Sequence, residues 1–160
     1  MKRSTAREIA VRLVFALCET DAEPQSLLET AFEEEYYSSL KSEDELYNEK
    51  PSKKQLAYIS RIVIGISEHG AELDGYVEKY SIGWKFSRIS RTALAIMKTA
   101  MFEILYMQDV PNSAAINEAV GMAKQYEQPE TVSFINGVLG SFISGELSDA
   151  VTASDAALSG

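Results

Sequence analysis

The sequence predicts an all-α protein of about seven helices, arranged as two small bundles that share a core. Three observations lead there. Apolar residues recur at spacings of three and four along almost the whole chain, which is the period of a helix and not of a strand. Strand-type runs of Val, Ile and Thr joined by hairpin turns are absent. At 160 residues the chain suits one ordinary domain or two small helical subdomains, and the short segment at 81–87, with Gly83 and Trp84, offers a junction between halves. The expected organisation is an N-terminal subdomain over 1–81, a C-terminal one over 82–145 and a disordered tail over 146–160, which is small, polar and without a face to bury.

The first helix is expected to be capped by Ser4 or Thr5 and to reach about Thr20, with Ile9, Leu13, Ala16 and Leu17 on its apolar stripe. Arg3 and Arg7, four apart, then share a different face. A second helix starts near Pro24, a residue tolerated in a first turn, and turns Leu27, Leu28, Ala31 and Phe32 inward. The polar stretch 43–53, with Pro51 and no periodic face, reads as a mobile loop. A third helix runs from about Ser52 through Ile59, Ile62, Val63 and Ile66, breaks near Gly70, and is followed by a shorter piece holding Leu73, Val77 and Tyr80.

After the junction comes the most apolar helix. Ile89, Ala93, Ile96, Ala100 and Ile104 form one stripe with Leu94, Met97, Met101 and Leu105 beside it, a width that implies burial on more than one side. Pro111 makes a turn, and Ala115, Ile116, Ala119, Val120 and Ala123 continue as a helix until Gln128 and Pro129 break it. The last helix carries Val132, Phe134, Ile135, Val138, Leu139, Phe142 and Ile143.

Composition excludes several function classes. No apolar run approaches the roughly 20 residues that span a bilayer, and Glu8 and Arg12 interrupt the apolar stretch that would otherwise suggest a signal peptide. The single cysteine, Cys18, forms no internal disulfide; it reads as a buried, inert helix residue, and a cytoplasmic location is expected. With one cysteine and one histidine, His69, there is no zinc site. The glycines are scattered and form no phosphate loop. Glu33, Glu34 and Glu35 read as a solvated helix face. The expectation is a protein without cofactor or metal that binds macromolecules and is not an enzyme.

Net charge is −9, which argues against a generally positive nucleic-acid binder, but the charge is polarised. Residues 19–49 hold eleven acidic side chains against one lysine, whereas the first twelve residues hold Lys2, Arg3, Arg7 and Arg12 against Glu8. Such a chain can bind RNA locally while its far side stays acidic.

Two runs break local helix preference inside strong helices: Ile116-Asn117-Glu118-Ala119-Val120 and Phe134-Ile135-Asn136-Gly137-Val138-Leu139. Asparagine in a helix interior costs about 0.7 kcal/mol relative to alanine, and glycine about 1. Packing is the expected reason, with Gly137 admitting a neighbouring helix and the asparagines satisfying buried carbonyls.

With the preceding Pro111-Asn112-Ser113-Ala114-Ala115 and with Ala123-Lys124, these runs resemble the signature of the NusB transcription antitermination family. Ala6-Arg7-Glu8 with Ala10 and Phe15, Trp84 with Arg88-Ile89, and Phe102-Glu103-Ile104-Leu105 resemble further family segments, so the likeness covers about residues 2–144. The resemblance implies a bacterial adaptor of two helical bundles. Such an adaptor binds a boxA-like single-stranded RNA together with NusE, a small-subunit ribosomal protein, in RNA polymerase antitermination complexes on ribosomal RNA operons.

Carried over by position, the implied RNA-binding residues are Lys2, Arg3, Arg7, Phe15, Glu130, Ser133 and Phe134. Arginines four apart can straddle phosphates, and aromatic rings can stack on unpaired bases. Phe15 and Phe134 are equally readable as core residues. The chain departs from the family in lacking consecutive arginines near its start, and in placing Ala93 where the family implies an acidic residue near the ribosomal-protein contact. The 29–53 region is longer than the family minimum. A protein-only helical interaction module is the alternative reading. The family's helical domain also occurs fused to an RNA cytosine methyltransferase, and this chain is expected to stop short of any such cofactor-binding domain.

Overall fold

The computed structural model describes residues 1–147. Eight α-helices and a few short turns make up the described residues, with no strand among them. They form two compact units, Met1–Gly70 and Ala71 onward. The units therefore divide at the end of the fourth helix, whereas the sequence reading places the junction at 81–87.

In the first unit, α1 (Arg3–Glu19) packs on α4 (Lys53–Glu68), and α2 (Pro24–Ala31) packs against both. Lys2 is the N-cap of α1 and makes no side-chain cap; Ser4 and Thr5 lie inside the first turn and are not the cap. The buried side of α1 is Ala6, Arg7, Ile9, Ala10, Val11 and Val14, with Leu13, Ala16 and Leu17 only half-buried, so the stripe is rotated from the expected one. Ala6 and Ala10 are small enough to let a neighbouring helix approach, and α4, which packs on α1, buries Ile59, Ile62, Val63 and Ile66. Ser52 starts α4 through a reciprocal capping box with Gln55, which satisfies two backbone N–H groups that the helix itself leaves unpaired. Each of these fully buried branched side chains contributes about 1.5–3 kcal/mol.

Between α2 and α4 the chain is not a loose loop. A short α3 (Glu34–Ser39) forms because the Glu33 carboxylate accepts the N–H groups of Glu35 and Tyr36. Asp44 caps a 3₁₀ turn at Glu45–Tyr47 by accepting from the Leu46 N–H. The Tyr37 hydroxyl donates to the Glu49 carbonyl at 2.8 Å. Polarity without periodicity predicted mobility; side-chain-to-backbone bonds supply the order instead.

The second unit is built around α6 (Arg91–Tyr106), whose residues from Ala95 to Ile104 are all buried. It packs against α7 (Asn112–Tyr126) and α8 (Pro129–Phe142), which also pack on each other. Two polar side chains of α6 find partners on the preceding helix, whereas the buried Thr99 hydroxyl makes no hydrogen bond. Lys98 lies 2.9 Å from the Asp74 carboxylate of α5 (Gly70–Tyr80), and the Tyr106 hydroxyl donates to the Glu72 carboxylate at 2.8 Å. At the far end Phe142 is fully buried with the Tyr76 and Tyr80 rings edge-on to it, 5.1 and 6.1 Å away.

A π-helical turn at Ile143–Leu147 follows, and its Glu146 accepts from Lys79 at 2.7 Å and Tyr80 at 2.8 Å. Gly145 is required there, since a Cβ would run into the Tyr80 ring. Residues 146 and 147, expected to open a disordered tail, belong to this turn, and the remainder of that expectation lies outside the described residues. No helix among the described residues is long and apolar enough to cross a membrane.

Candidate nucleic-acid interface

Two patches gather the sequence-predicted residues, one in each unit. The first is the start of α1. Lys2 and Arg3 are exposed, and the Arg3 guanidinium lies over the Tyr58 ring of α4, 4.6 Å from its centre. Arg7 follows one turn later with its guanidinium 5.9 Å from the same ring, but it is only 5% exposed. Arg3 and Arg7, expected to share a face apart from the apolar stripe, both approach the Tyr58 ring, but Arg3 is exposed and Arg7 is buried. Position 7 adjoins Ala6 on the face that meets α4, so the Arg7 stem packs into the interface and Tyr58 receives both cations.

The neighbouring chain start is fixed to α4 by the Gln55 amide, which donates to the Met1 carbonyl at 2.5 Å. Phe15, two turns after Glu8, is half-buried, so its ring is partly open to solvent. Arg12 belongs elsewhere: it pairs with Asp44 at 2.8 Å and Glu8 at 3.8 Å, and lies over the Tyr47 ring.

The second patch is aromatic. Phe134 of α8 stacks on Trp84 with ring centres 4.3 Å apart and planes at 19°, and both rings are half-exposed. Gly83, Trp84, Lys85, Arg88 and Glu130 line an open cavity of about 470 Å³ beside the stack. Gly83 has a φ of +82°, so the turn that brings Trp84 to α8 uses a conformation that disfavours any residue with a Cβ. Ser90 holds the segment from the other side. Its hydroxyl accepts the Ala93 N–H, capping α6, and donates to the Glu127 carboxylate at 2.6 Å at the end of α7.

Glu130 and Ser133 are exposed on the first turns of α8, where the Glu130 carboxylate suits the positive end of the helix dipole. Chemically this patch offers a ready stacking platform with two exposed cations, Lys85 and Arg88, at its rim.

In sequence, Trp84 reads as part of the 81–87 junction and, with Arg88, of the family likeness, and nothing local singles out Lys85. Their clustering depends on the turn at Gly83 and on the pairing of Trp84 with a ring fifty positions later (84 to 134), which no local spacing reveals.

Other expectations are corrected here. Asn117 and Asn136 are exposed and do not serve buried carbonyls, and the space around Gly137 is open, so no helix approaches it closely. Asn117, Asn136 and Gly137 are thus surface positions within runs whose Ala115, Ala119, Ile135, Val138 and Leu139 are buried. Cys18 is exposed, not buried, because it falls past the last buried turn of α1. Ala93 is fully buried and offers no surface to any partner. Among the described residues no cluster of three or more His, Cys, Asp or Glu side chains is placed to hold a metal ion.

Residues 4–144 match the model of the NusB family. The chain is similar to the transcription antitermination protein NusB of Acetivibrio thermocellus, 37% identical over 150 residues that cover 94% of each chain. It is likewise similar to the protein of that name from Clostridium novyi, 32% identical over 89% of this chain and 98% of that one. The fold is that of a solved T. maritima NusB, with a TM-score of 0.73, 23% identity, and coverage of 91% of this chain and 92% of the other.

Proposed function

The chain belongs to the NusB family, and on that premise we propose that it is a transcription antitermination factor. In this reading it is a cytoplasmic, non-catalytic adaptor that binds boxA-like single-stranded RNA together with the ribosomal protein NusE. The pair then joins RNA polymerase complexes transcribing ribosomal RNA. The observation that carries the RNA half is the half-exposed Trp84–Phe134 stack with Lys85 and Arg88 at its edge. Single-stranded RNA is recognised by aromatic faces that take unpaired bases and by cations that take phosphates. Lys2 and Arg3, exposed at the start of α1, supply further phosphate contacts, with Phe15 available for stacking. Arg7, buried beside the same Tyr58 ring, contributes to the packing of this patch.

The remaining acidic surface limits binding to these patches, so affinity for RNA alone is modest and is completed by the ribosomal protein. A gel-shift titration with boxA RNA, with and without NusE, tests the reading. Binding that strengthens with NusE and weakens as salt rises supports it, and no shift under either condition at low salt overturns it.

A further inference from the structure

The acidic 29–53 region, which the RNA reading leaves unused, encloses a second concave site. Phe32, Tyr36, Tyr37, Leu40 and Tyr47 come together with Leu13 of α1 around a cavity of about 120 Å³. Phe32 stacks on Tyr37 with centres 5.7 Å apart, and Tyr47 meets Tyr37 edge-on at 5.6 Å. Tyr37 is buried as the floor, tied by its hydroxyl to the Glu49 carbonyl, and burial together with the nearby Tyr47 and Glu49 pushes that hydroxyl up to about 12. Tyr36 forms the open lip and is 49% exposed, one of few large apolar side chains on the described surface so placed. The cavity is built: capping by Glu33 and Asp44 fixes both backbone segments that line it.

The segments that supply its rings are acidic. Glu33, Glu34, Glu35, Glu43 and Glu45 are exposed in the same segments, against a single lysine, Lys41. Arg12, the one cation lining the cavity, is already matched by Asp44 and Glu8.

That charge selects the occupant. Phosphates are repelled, so RNA does not fit, and a second copy of the same surface brings like charges together. An apolar pocket set in segments rich in exposed carboxylates complements an apolar side chain flanked by cations. We propose that this cavity docks a basic peptide segment of a partner protein, which seats one aliphatic side chain among the rings and sets its lysines or arginines against the surrounding carboxylates. The site is separate from the patches assigned to RNA, and stands whether or not those bind RNA.

The test is fluorescence anisotropy of the full chain with short labelled peptides: lysine pairs flanking a central leucine, the same peptide with serine for the leucine, and one with glutamates for the lysines. The leucine–lysine peptide is expected to bind most tightly, and more weakly as salt rises. Tyr36→Ser, at an exposed position, is expected to keep the helical circular dichroism and boxA affinity of the parent while weakening this peptide by about tenfold, the loss typical of a central aromatic contact. Glu34→Lys with Glu35→Lys is expected to weaken it as well. Failure of every peptide to bind, equal binding of the serine or glutamate peptide, or an unchanged affinity in a folded Tyr36→Ser protein would each overturn the proposal.

Discussion

Helices α1 and α6 are nearly the same length, 17 and 16 residues, yet they do opposite work. α6 is buried almost all round, with even Lys98, Thr99 and Glu103 inside. α1 buries one side only and leaves Lys2, Arg3 and Glu8 at or near solvent. A helix enclosed on all sides cannot carry contacts of its own. The side chains proposed to contact RNA in the second unit accordingly lie in the turn before α6 and the first turns of α8, whereas in the first unit they lie at the start of α1 and along it. Folding and recognition are thus separated by element in one unit and by helix face in the other.

Substitutions should expose that separation. Ile96→Ala, in the middle of α6, is expected to cost about 2–5 kcal/mol in chemical denaturation, because the enclosing helices cannot collapse into the space. Leu17→Ala, half-buried on α1, should cost about 1 kcal/mol or less.

At the rim the cost moves from stability to binding. Trp84→Ala should leave the midpoint of unfolding nearly unchanged and weaken boxA RNA by about 1–3 kcal/mol, one lost stacking contact, while Trp84→Phe restores most of it. The two arginines of α1 should behave differently from each other. Arg3→Ala is expected to shift stability by less than about 0.5 kcal/mol and to lower the salt slope of RNA binding by about 0.7, one phosphate contact on a single strand. Arg7→Ala should instead register mainly in the thermal midpoint, since its stem and cation are packed against α4.

The smallest effect concerns pH. Asp44 is held below its usual value of 3.8 by the Leu46 backbone N–H and then by Arg12. A carboxylate lowered in the folded state contributes above its unfolded value, and that contribution fades as pH falls through the folded one. The Leu46 amide resonance should therefore stay constant at neutral pH and move only below the ordinary aspartate range. Arg12→Ala should bring that movement to higher pH.

Helix identity was legible wherever an apolar period ran for several turns, as in α4, α6 and α8, and the breaks at Gly70, Pro111 and Pro129 were legible from residues that stop or start helices. The order within 43–53 escaped because it comes from Asp44 binding the Leu46 N–H and from the Tyr37 hydroxyl binding the Glu49 carbonyl, a pattern that looks like polar loop in sequence. The rotation of α1 escaped because Leu13 and Leu17 are more apolar than the Ala6 and Ala10 that are buried instead, so composition favoured the wrong stripe.

Of the site, Lys2, Arg3, Glu130 and Ser133 were found on the surface as their residue types suggest. Phe134 was divided between core and surface in sequence and is half-buried in the structure, because Trp84 covers one of its faces. Arg7 was misread as surface for the same reason that arginines usually are: only the Tyr58 ring, contributed from another helix, makes its burial favourable.

Trp84 is the only tryptophan in the chain and sits in the proposed RNA-contacting stack, so its fluorescence reports on that contact directly. Titration of the intact protein with boxA RNA at low salt should quench the emission saturably, with the midpoint moving to higher RNA concentration as salt rises and as Arg3 is replaced by alanine. An emission that stays constant while RNA is shown by gel shift to be bound would contradict the account.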